Sequence, residues 1–409
     1  MHILFIHQIF LSPKEAGSTR HFELAKHLVK KGNRVTIIGS TVSYLTGKVQ
    51  ERFKGKFLYK EVIGGVEIVR VWTYSKIHKN YVKRLLSFIS FMISSIIGGL
   101  RTDKIDIVIA CSPQIFTGIS GYVLSKIKRV PFIFEIRDLW PKFAIEIGIL
   151  TSSLIIFLAE LLEKFIYKKA DYFIINSPGF YDHLEKFGIQ QNKIFLIPNG
   201  VDTKAFMPEN KYNRVRKELE LDKNFIVMYL GAHGLANSLD TIVHSARLLI
   251  DYSEIKFLFV GDGKEKKRLA KLRNEYKLRN VIFIDAQPKE RMPEFCNAAD
   301  ICVATLKKLD CFTTTYPNKI FDYMACGRPT ILAIDGVARE VIENAKAGEF
   351  VEPENPKHLA VTILKYYKNP ILIKEYGRHA RKYVVDHFDR EKIAENLNSS
   401  LNKVLKSHI

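Results

Sequence analysis

The sequence lacks any cysteine framework. Its five cysteines (Cys111, Cys296, Cys302, Cys311, Cys326) form no C-x-x-C pair and are odd in number. That argues against a disulfide scaffold or a structural zinc and for a reducing compartment. Long apolar runs are also missing. The most apolar of the long uncharged stretches, residues 85–100, has 16 residues, or about 24 Å as a helix against a hydrocarbon core of ~30 Å. A membrane-spanning helix is therefore not expected. The opening MHILFIHQIF is too short for a secretory signal. No G-x-G-x-x-G, P-loop, H-E-x-x-H or D-x-D occurs. These absences set aside an NAD site, P-loop phosphoryl transfer, a zinc protease and a metal-held nucleotide sugar. No short-period repeat or low-complexity segment appears. Acidic residues are scarce beside basic ones, 43 against 63, which leaves +20 and a surface suited to anionic ligands or membranes.

What is present is an α/β rhythm. With 409 residues, 47% of them hydrophobic and 26% charged, the chain reads as a soluble protein of two or three domains at ~150 residues each. The apolar run Ile3 to Ile6, the helical pattern from Arg20 closed by Gly32, and RVTIIGS form a βαβ unit, hence a parallel sheet. VEIVRVW, IDIVIAC, FIFEIRD and YFIINS continue it. After a loop at about 202–209 the alternation restarts with FIVMYLGA, KFLFVGDG, VIFIDA, ICVATL and PTILAID. The expectation is two Rossmann-like domains facing across a cleft. They are placed at 1–205 and 206–384, with a terminal helix from about 385 returning to the first. In such sheets ligands bind beyond the carboxyl ends of the strands.

Four loops at those ends carry candidate chemistry. Gly17, Ser18, Thr19, Arg20 and His21 open a helix, where N–H groups and Arg20 suit a phosphate, although a capped turn explains them equally well. Gly231 and Gly234 would let backbone approach a ligand, or simply connect. Gly261, Asp262 and Gly263 form a tight turn with the same two readings. In TTTYPNKIFDYMACGRPTI, Pro317 starts a helix with Asn318 and Lys319 in its first turn. A lysine there opposes the helix dipole, and an anionic ligand would offset that cost. Asp322, one turn on, suits a ribose. FEIRDLWP ends a strand on Glu135, Arg137 and Asp138, charges that are costly inside a sheet unless used or paired, as in an Arg137–Asp138 bridge.

Taken in order, IPNGVDTKAF, VGDG and PNKIFDYMACGRPTI resemble the retaining GT-B glycosyltransferases of family 4 over nearly the whole chain. HQIF with the following GSTRHFELA, EIRDLWP and GAHGLANSLD look most like the O-antigen and capsule branch that includes N-acetyl-L-fucosamine transferases. The resemblance implies a UDP-sugar donor held by the second domain and a polyprenyl-diphosphate-linked acceptor, with no metal and no cofactor. Gly231, Gly234 and Lys319 would face the diphosphate, with His233 where the family has a basic pair and Arg268 as a further phosphate partner. Asp322 falls on the second acid of the family's E-x7-E motif, while Thr314 replaces the first. Gly17 and Arg20 match the family's glycine loop, and Arg137 is a further substrate-binding candidate. Asp138 is placed for acceptor positioning or proton handling. Same-face attack with hinged closure would follow, Asp138, Lys319 and Asp322 carrying the chemistry.

Residues 85–100 are flanked by Lys76, Lys79, Lys83, Arg84, Arg101 and Lys104, which suits peripheral docking on the anionic inner face of the cytoplasmic membrane. ILTSSLIIFLAELLEKFIYKK repeats the pattern more weakly, and a buried domain helix is the alternative. Nucleic acid is not an expected partner, since basic residues are dispersed and no nucleic-acid motif is visible. A GT-B-like UDP-sugar epimerase or hydrolase and a non-catalytic basic partner subunit are the competing functions.

Overall fold

In a computed structural model of the protein, residues 1–12, 19–43, 46–75 and 81–408 are described, apart from the Tyr81 side chain. They form two compact units. Unit 1 comprises residues 1–12, Thr19–Pro198 and 393–408, and unit 2 comprises Asn199–Lys392.

Unit 1 is built on β1 (His2–Ile6), β2 (Arg34–Ser40), β3 (Leu58–Ile63), β4 (Val66–Val71), β5 (Ile107–Cys111), β6 (Phe132–Ile136), β7 (Tyr172–Ile175) and β8 (Ile194–Leu196). Their order is β3-β4-β2-β1-β5-β6-β7-β8, all parallel except the β3–β4 hairpin. Strands such as HILFI and IVIAC are buried at every position, because helices cover both faces of a parallel sheet. The order reverses between β1 and β5, and in such sheets ligands bind at the switch point, beside the loops after both strands.

Unit 2 repeats the plan with β9 (Phe225–Leu230), β10 (Ile255–Val260), β11 (Val281–Ile284), β12 (Ile301–Thr305), β13 (Thr330–Ala333) and β14 (Gly348–Phe350). The sheet is fully parallel in the order β11-β10-β9-β12-β13-β14, with its switch between β9 and β12.

Helix Arg390–His408 begins at the end of unit 2 and buries Ile393, Leu397, Leu401 and Val404 in the core of unit 1. Lys31 and Glu395 pair at 2.7 Å along its flank.

Helix Tyr81–Leu100 corrects the length argument made from the sequence. It has 20 residues, about 30 Å, because Lys83 and Arg84 lie inside it. Val82–Leu100 is therefore long and apolar enough to cross a membrane, with 33% of its most apolar window buried. One face packs into unit 1: Phe91, Ser94 and Ser95 are buried, and Ser95 Oγ meets Ser120 Oγ at 2.9 Å. Val82, Leu86, Ile93 and Leu100 stay exposed.

Candidate active site

In unit 1 the loops after β1, β5 and β6 and the helix Arg20–Lys30 share one buried polar centre. Glu135, at the end of β6, accepts from Arg20 Nη1 on one oxygen and from His21 Nε2 at 2.6 Å on the other. Arg20 Nη2 donates to the Ile197 carbonyl at 2.7 Å, which leaves the guanidinium 1% exposed. The His7 and His21 rings lie 4.2 Å apart. Arg137 Nη1 donates to His7 Nε2 at 3.2 Å, and because an arginine cannot accept, His7 is the acceptor there and neutral. Burial and the neighbouring cations push His7 well below the usual imidazole range and His21 down to about 4. Burial works against the Glu135 carboxylate, but His21 and Arg20 outweigh it and hold its pKa well below the ordinary value. Among the described residues His21, Cys111 and Glu135 offer three ligand atoms within 4.8 Å of one another. Arg20 already occupies one Glu135 oxygen, and burial raises the Cys111 thiol, so this trio belongs to the hydrogen-bond network.

Asp138 stands apart from that network. Among the described residues no ion pair joins it to Arg137, whose side chain turns to His7. Burial pushes the Asp138 carboxyl up to about 6, against the opposing pull of Arg137. Gly17 lies outside the described residues.

In unit 2 the site is made by two loops locked backbone to backbone. Gly231 N donates to the Val260 carbonyl at 3.0 Å, His233 N to that of Asp262 at 2.8 Å, and Glu265 N to that of His233 at 3.0 Å. A Cβ on Gly261 (φ +148°) would fall 1.9 Å from the Gly231 oxygen, and one on Gly263 (φ +156°) 2.4 Å from the His233 oxygen. Only glycine permits so close an approach in that backbone conformation. The lock buries His233 completely, against Tyr229, Phe259 and Phe283, and neither ring nitrogen has a hydrogen-bond partner among the described residues. Burial, then the Lys266 charge, lower its pKa to about 4.

Lys319, in the first turn of helix Asn318–Ala325, reaches back across the loop. Its Nζ lies 2.6 Å from Tyr229 Oη and 3.4 Å from Asn237 Oδ1, and 4.0 Å from the centre of the Tyr229 ring. A Cβ on Gly231 would meet Nζ at 3.5 Å. No carboxylate pairs with Lys319 among the described residues, and burial lowers its pKa to about 7. Beside it, Asn318 Oδ1 is buried without a hydrogen-bond partner among the described residues. The chemistry on offer is a half-buried cation with no carboxylate and polar atoms lacking partners among the described residues, a setting that suits an added anion.

The structure thus brings Gly231, His233, Asn318 and Lys319 together. Gly234 begins the short helical turn Leu235–Asn237 in the same loop. Arg268 points elsewhere: its Nε donates to Glu265 at 2.5 Å and its guanidinium lies 3.8 Å from Asp240. Thr314 Oγ1 donates to the Cys311 carbonyl at 2.8 Å. Asp322 is half-buried in the middle of its helix. Three residues of this centre carry no recognisable signal in sequence: Tyr229, which reads as strand core, Asn237, and Lys266, whose Nζ donates to the Gly261 carbonyl and to Asp285 at 3.0 and 2.5 Å.

Two family profiles divide the chain as the sheets do. "Glycosyltransferase Family 4" matches residues 17–205 and "Glycosyl transferases group 1" matches residues 211–383. The chain is a family 4 glycosyltransferase of the GT-B fold. Sucrose-phosphate synthase from Thermosynechococcus elongatus superimposes with a TM-score of 0.80 at 18% identity, covering 99% of both chains. Anabaena HepE in complex with UDP-glucose does so at 0.73 and 17% identity, covering 98% of this chain and all of that one. Among curated relatives, WcaI of Escherichia coli, assigned to colanic acid biosynthesis, is 23% identical over 95% of this glycosyltransferase and 97% of its own length. The N,N'-diacetylbacillosaminyl-diphospho-undecaprenol alpha-1,3-N-acetylgalactosaminyltransferase of Campylobacter jejuni is 23% identical over 84% of this chain and 87% of its own.

Proposed function

We propose that this enzyme moves a sugar, with retention at the anomeric carbon, from a UDP-sugar to a polyprenyl-diphosphate-linked saccharide during surface-polysaccharide synthesis. The observation that carries the proposal is the Lys319 centre of unit 2, a half-buried cation beside His233 and Asn318 Oδ1, which lack hydrogen-bond partners among the described residues. The Anabaena neighbour bound to UDP-glucose and the Campylobacter relative named for a diphospho-undecaprenol substrate support donor and acceptor respectively. On this reading residues 206–384 hold the donor, and 1–205 with 385–409 hold the acceptor. The transferred sugar is an N-acetylated amino sugar such as N-acetyl-L-fucosamine.

The acceptor oxygen forms a bond to C1 as the bond from C1 to the donor phosphate breaks. The departing UDP takes the acceptor proton. Lys319 carries the charge that develops on the diphosphate, with the Gly231–Gly234 loop, His233 and Asn318 closing around it and Asp322 on the ribose. Asp138 positions the acceptor hydroxyl from unit 1. The Arg20–Glu135 pair holds the loops of that centre, including Arg137, in place.

The lipid acceptor also explains exposed apolar surface in unit 1. Beyond the stripe Val82, Leu86 and Ile93, helix Ser153–Lys169 exposes Leu154, Phe157, Leu158 and Leu161. An apolar groove of about 560 Å³ lies between Ile145, Phe157, Leu161 and Phe187. Lys83, Arg84, Lys164, Lys168 and Lys169 supply charge for anionic headgroups; Lys76 and Lys79 lie outside the described residues. Replacing Leu86, Ile93 and Phe157 together by Ser is expected to abolish sedimentation with anionic vesicles.

A thermal-shift panel of UDP, GDP, ADP, CMP and NAD without metal tests the donor. Stabilisation by UDP alone is the expected result, followed by transfer from UDP-sugars to a short polyprenyl-diphosphate saccharide and assignment of the product anomer by proton NMR. Stabilisation by another nucleotide, or by none, would overturn the UDP assignment. UDP-sugar consumption without any transfer would favour the epimerase or hydrolase.

A further inference from the structure

At the C-terminal ends of β2 and β4, Thr41 and residues from 47–57 and 72–75 line a concavity of about 1010 Å³ that the proposed transfer does not use. Its walls carry Trp72 and Phe57, 45% and 42% exposed. Trp72 N donates to the Phe57 carbonyl at 2.8 Å, which holds the two residues side by side. Apolar rings this large bury well, and leaving two of them open in one hollow forgoes that gain unless something covers them. Lys48, Lys54 and Lys56 also line it against one acid, Glu51, which Lys54 holds at 2.6 Å.

The floor is rigid. Arg70, 1% exposed, donates to the carbonyls of Phe10 and Ser40 at 2.9 and 3.2 Å and lies 3.8 Å from Glu61. Through Phe10, and through Ser40 N donating to the Gln8 carbonyl at 3.3 Å, the hollow is joined to the loop after β1 that carries His7. It therefore lies in the same unit and on the same edge of the sheet as the Arg137–Asp138 centre, beyond β2.

We infer that this hollow is a second saccharide subsite, taking an acidic sugar unit of the acceptor at a distance from the hydroxyl that is glycosylated. The chemistry matches part by part. The C–H face of a pyranose covers the Trp72 and Phe57 rings, and its hydroxyl edge stays in water. A carboxylate or phosphate on the ring meets Lys48 and Lys56, whose charge Glu51 does not cancel. A neutral sugar would gain only the stacking. The inference rests on the reading of the acceptor as a saccharide, and it adds the requirement that the saccharide be anionic.

The test is a titration of the full chain, without nucleotide, followed by saturation-transfer NMR. The probes are an unsulfated glucuronic-acid disaccharide, a disaccharide bearing a sugar 6-phosphate, N-acetyllactosamine as the neutral counterpart, and an eight-residue oligothymidylate. At least one acidic disaccharide is expected to bind at least tenfold more tightly than the neutral one, and the preferred one identifies the anion. Trp72→Ala should abolish transfer to the pyranose ring protons. Lys48→Glu with Lys56→Glu should cost at least tenfold in affinity for the acidic probe and leave the neutral one unchanged. Equal binding of acidic and neutral disaccharides, insensitivity to both variants, or oligothymidylate binding as tight as the acidic sugar would overturn the inference. UDP binding by the unaltered enzyme, measured in parallel, separates this outcome from failure of the donor assignment.

Discussion

The two units share a sheet plan but treat buried charge in opposite ways. In unit 1 the cation Arg20 sits against the anion Glu135, with His21 on the second carboxylate oxygen. In unit 2, among the described residues, Lys319 has only a phenol and an amide within reach and His233 has no partner for either nitrogen. A buried charge that is paired holds a structure together, and one that is unpaired holds a place for something else. On the proposed function, the contrast separates a scaffold from a binding site among residues that look equally functional in sequence, where Arg20 and Lys319 both stand at helix starts beside a glycine loop.

If that distinction is right, the largest effect should come from breaking the scaffold. Glu135→Ala leaves Arg20 buried without its anion and is expected to cost about 3–5 kcal/mol. The chain has two tryptophans, Trp72 and Trp140, both in unit 1, so their fluorescence in a urea titration follows that unit alone. A loss below 1 kcal/mol would mean the pair is not structural. Lys319→Met should do the reverse: no loss of stability in the free protein, and about 100-fold weaker UDP binding by calorimetry, or ~2.7 kcal/mol. Destabilisation with unchanged UDP affinity would erase the contrast.

Much of the fold was legible because buried parallel strands are short continuous apolar runs between helical patterns. The strands that escaped notice are β3, whose LYKEVI is half-exposed, and β8 and β14, three residues each. None of them has the continuous burial that makes such a run visible. The helix from Tyr81 ran past the charges taken as its boundary because long basic side chains lay their stems along apolar surface and keep their heads in water. At the site, Lys319 was readable from its place at a helix start. Its partners were not: Tyr229 and Asn237 lie 90 and 82 residues away, and nothing local marks either one. Arg20 was read toward a phosphate because its buried partner, Glu135, is 115 residues distant. Pairings of that range are set by which strands become neighbours, and one sequence shows the strands without their order.

Asp138 offers a milder test within unit 1, since it lies outside the paired network. With its carboxyl at about 6, it is ionised above that pH and protonated below. If the carboxylate positions the acceptor, kcat/KM should fall about tenfold per unit as pH drops below 6. Asp138→Asn should lower the plateau and remove that limb. A limb that persists in the variant would place the titrating group elsewhere.

The smallest effect sharpens the contrast from the side of unit 2. Burial leaves Lys319 with a pKa of about 7 in the free protein, so near neutral pH part of the population lacks the charge. A bound diphosphate favours the ammonium and raises its pKa, so the complex carries more protons than its separated parts. Affinity for UDP should therefore be greatest below pH 7 and fall by up to tenfold per unit above it. UDP also titrates near pH 6, so the useful range is pH 7 to 9. The neighbouring His233, at about 4, stays neutral throughout and contributes no slope. Calorimetry at pH 7 in buffers of different ionisation heat should show about half a proton taken up on binding, and none in Lys319→Met. A paired lysine would already be fully protonated, and its enzyme would bind UDP with no uptake, so the proton count reads directly whether the unit 2 cation waits without a partner for its ligand.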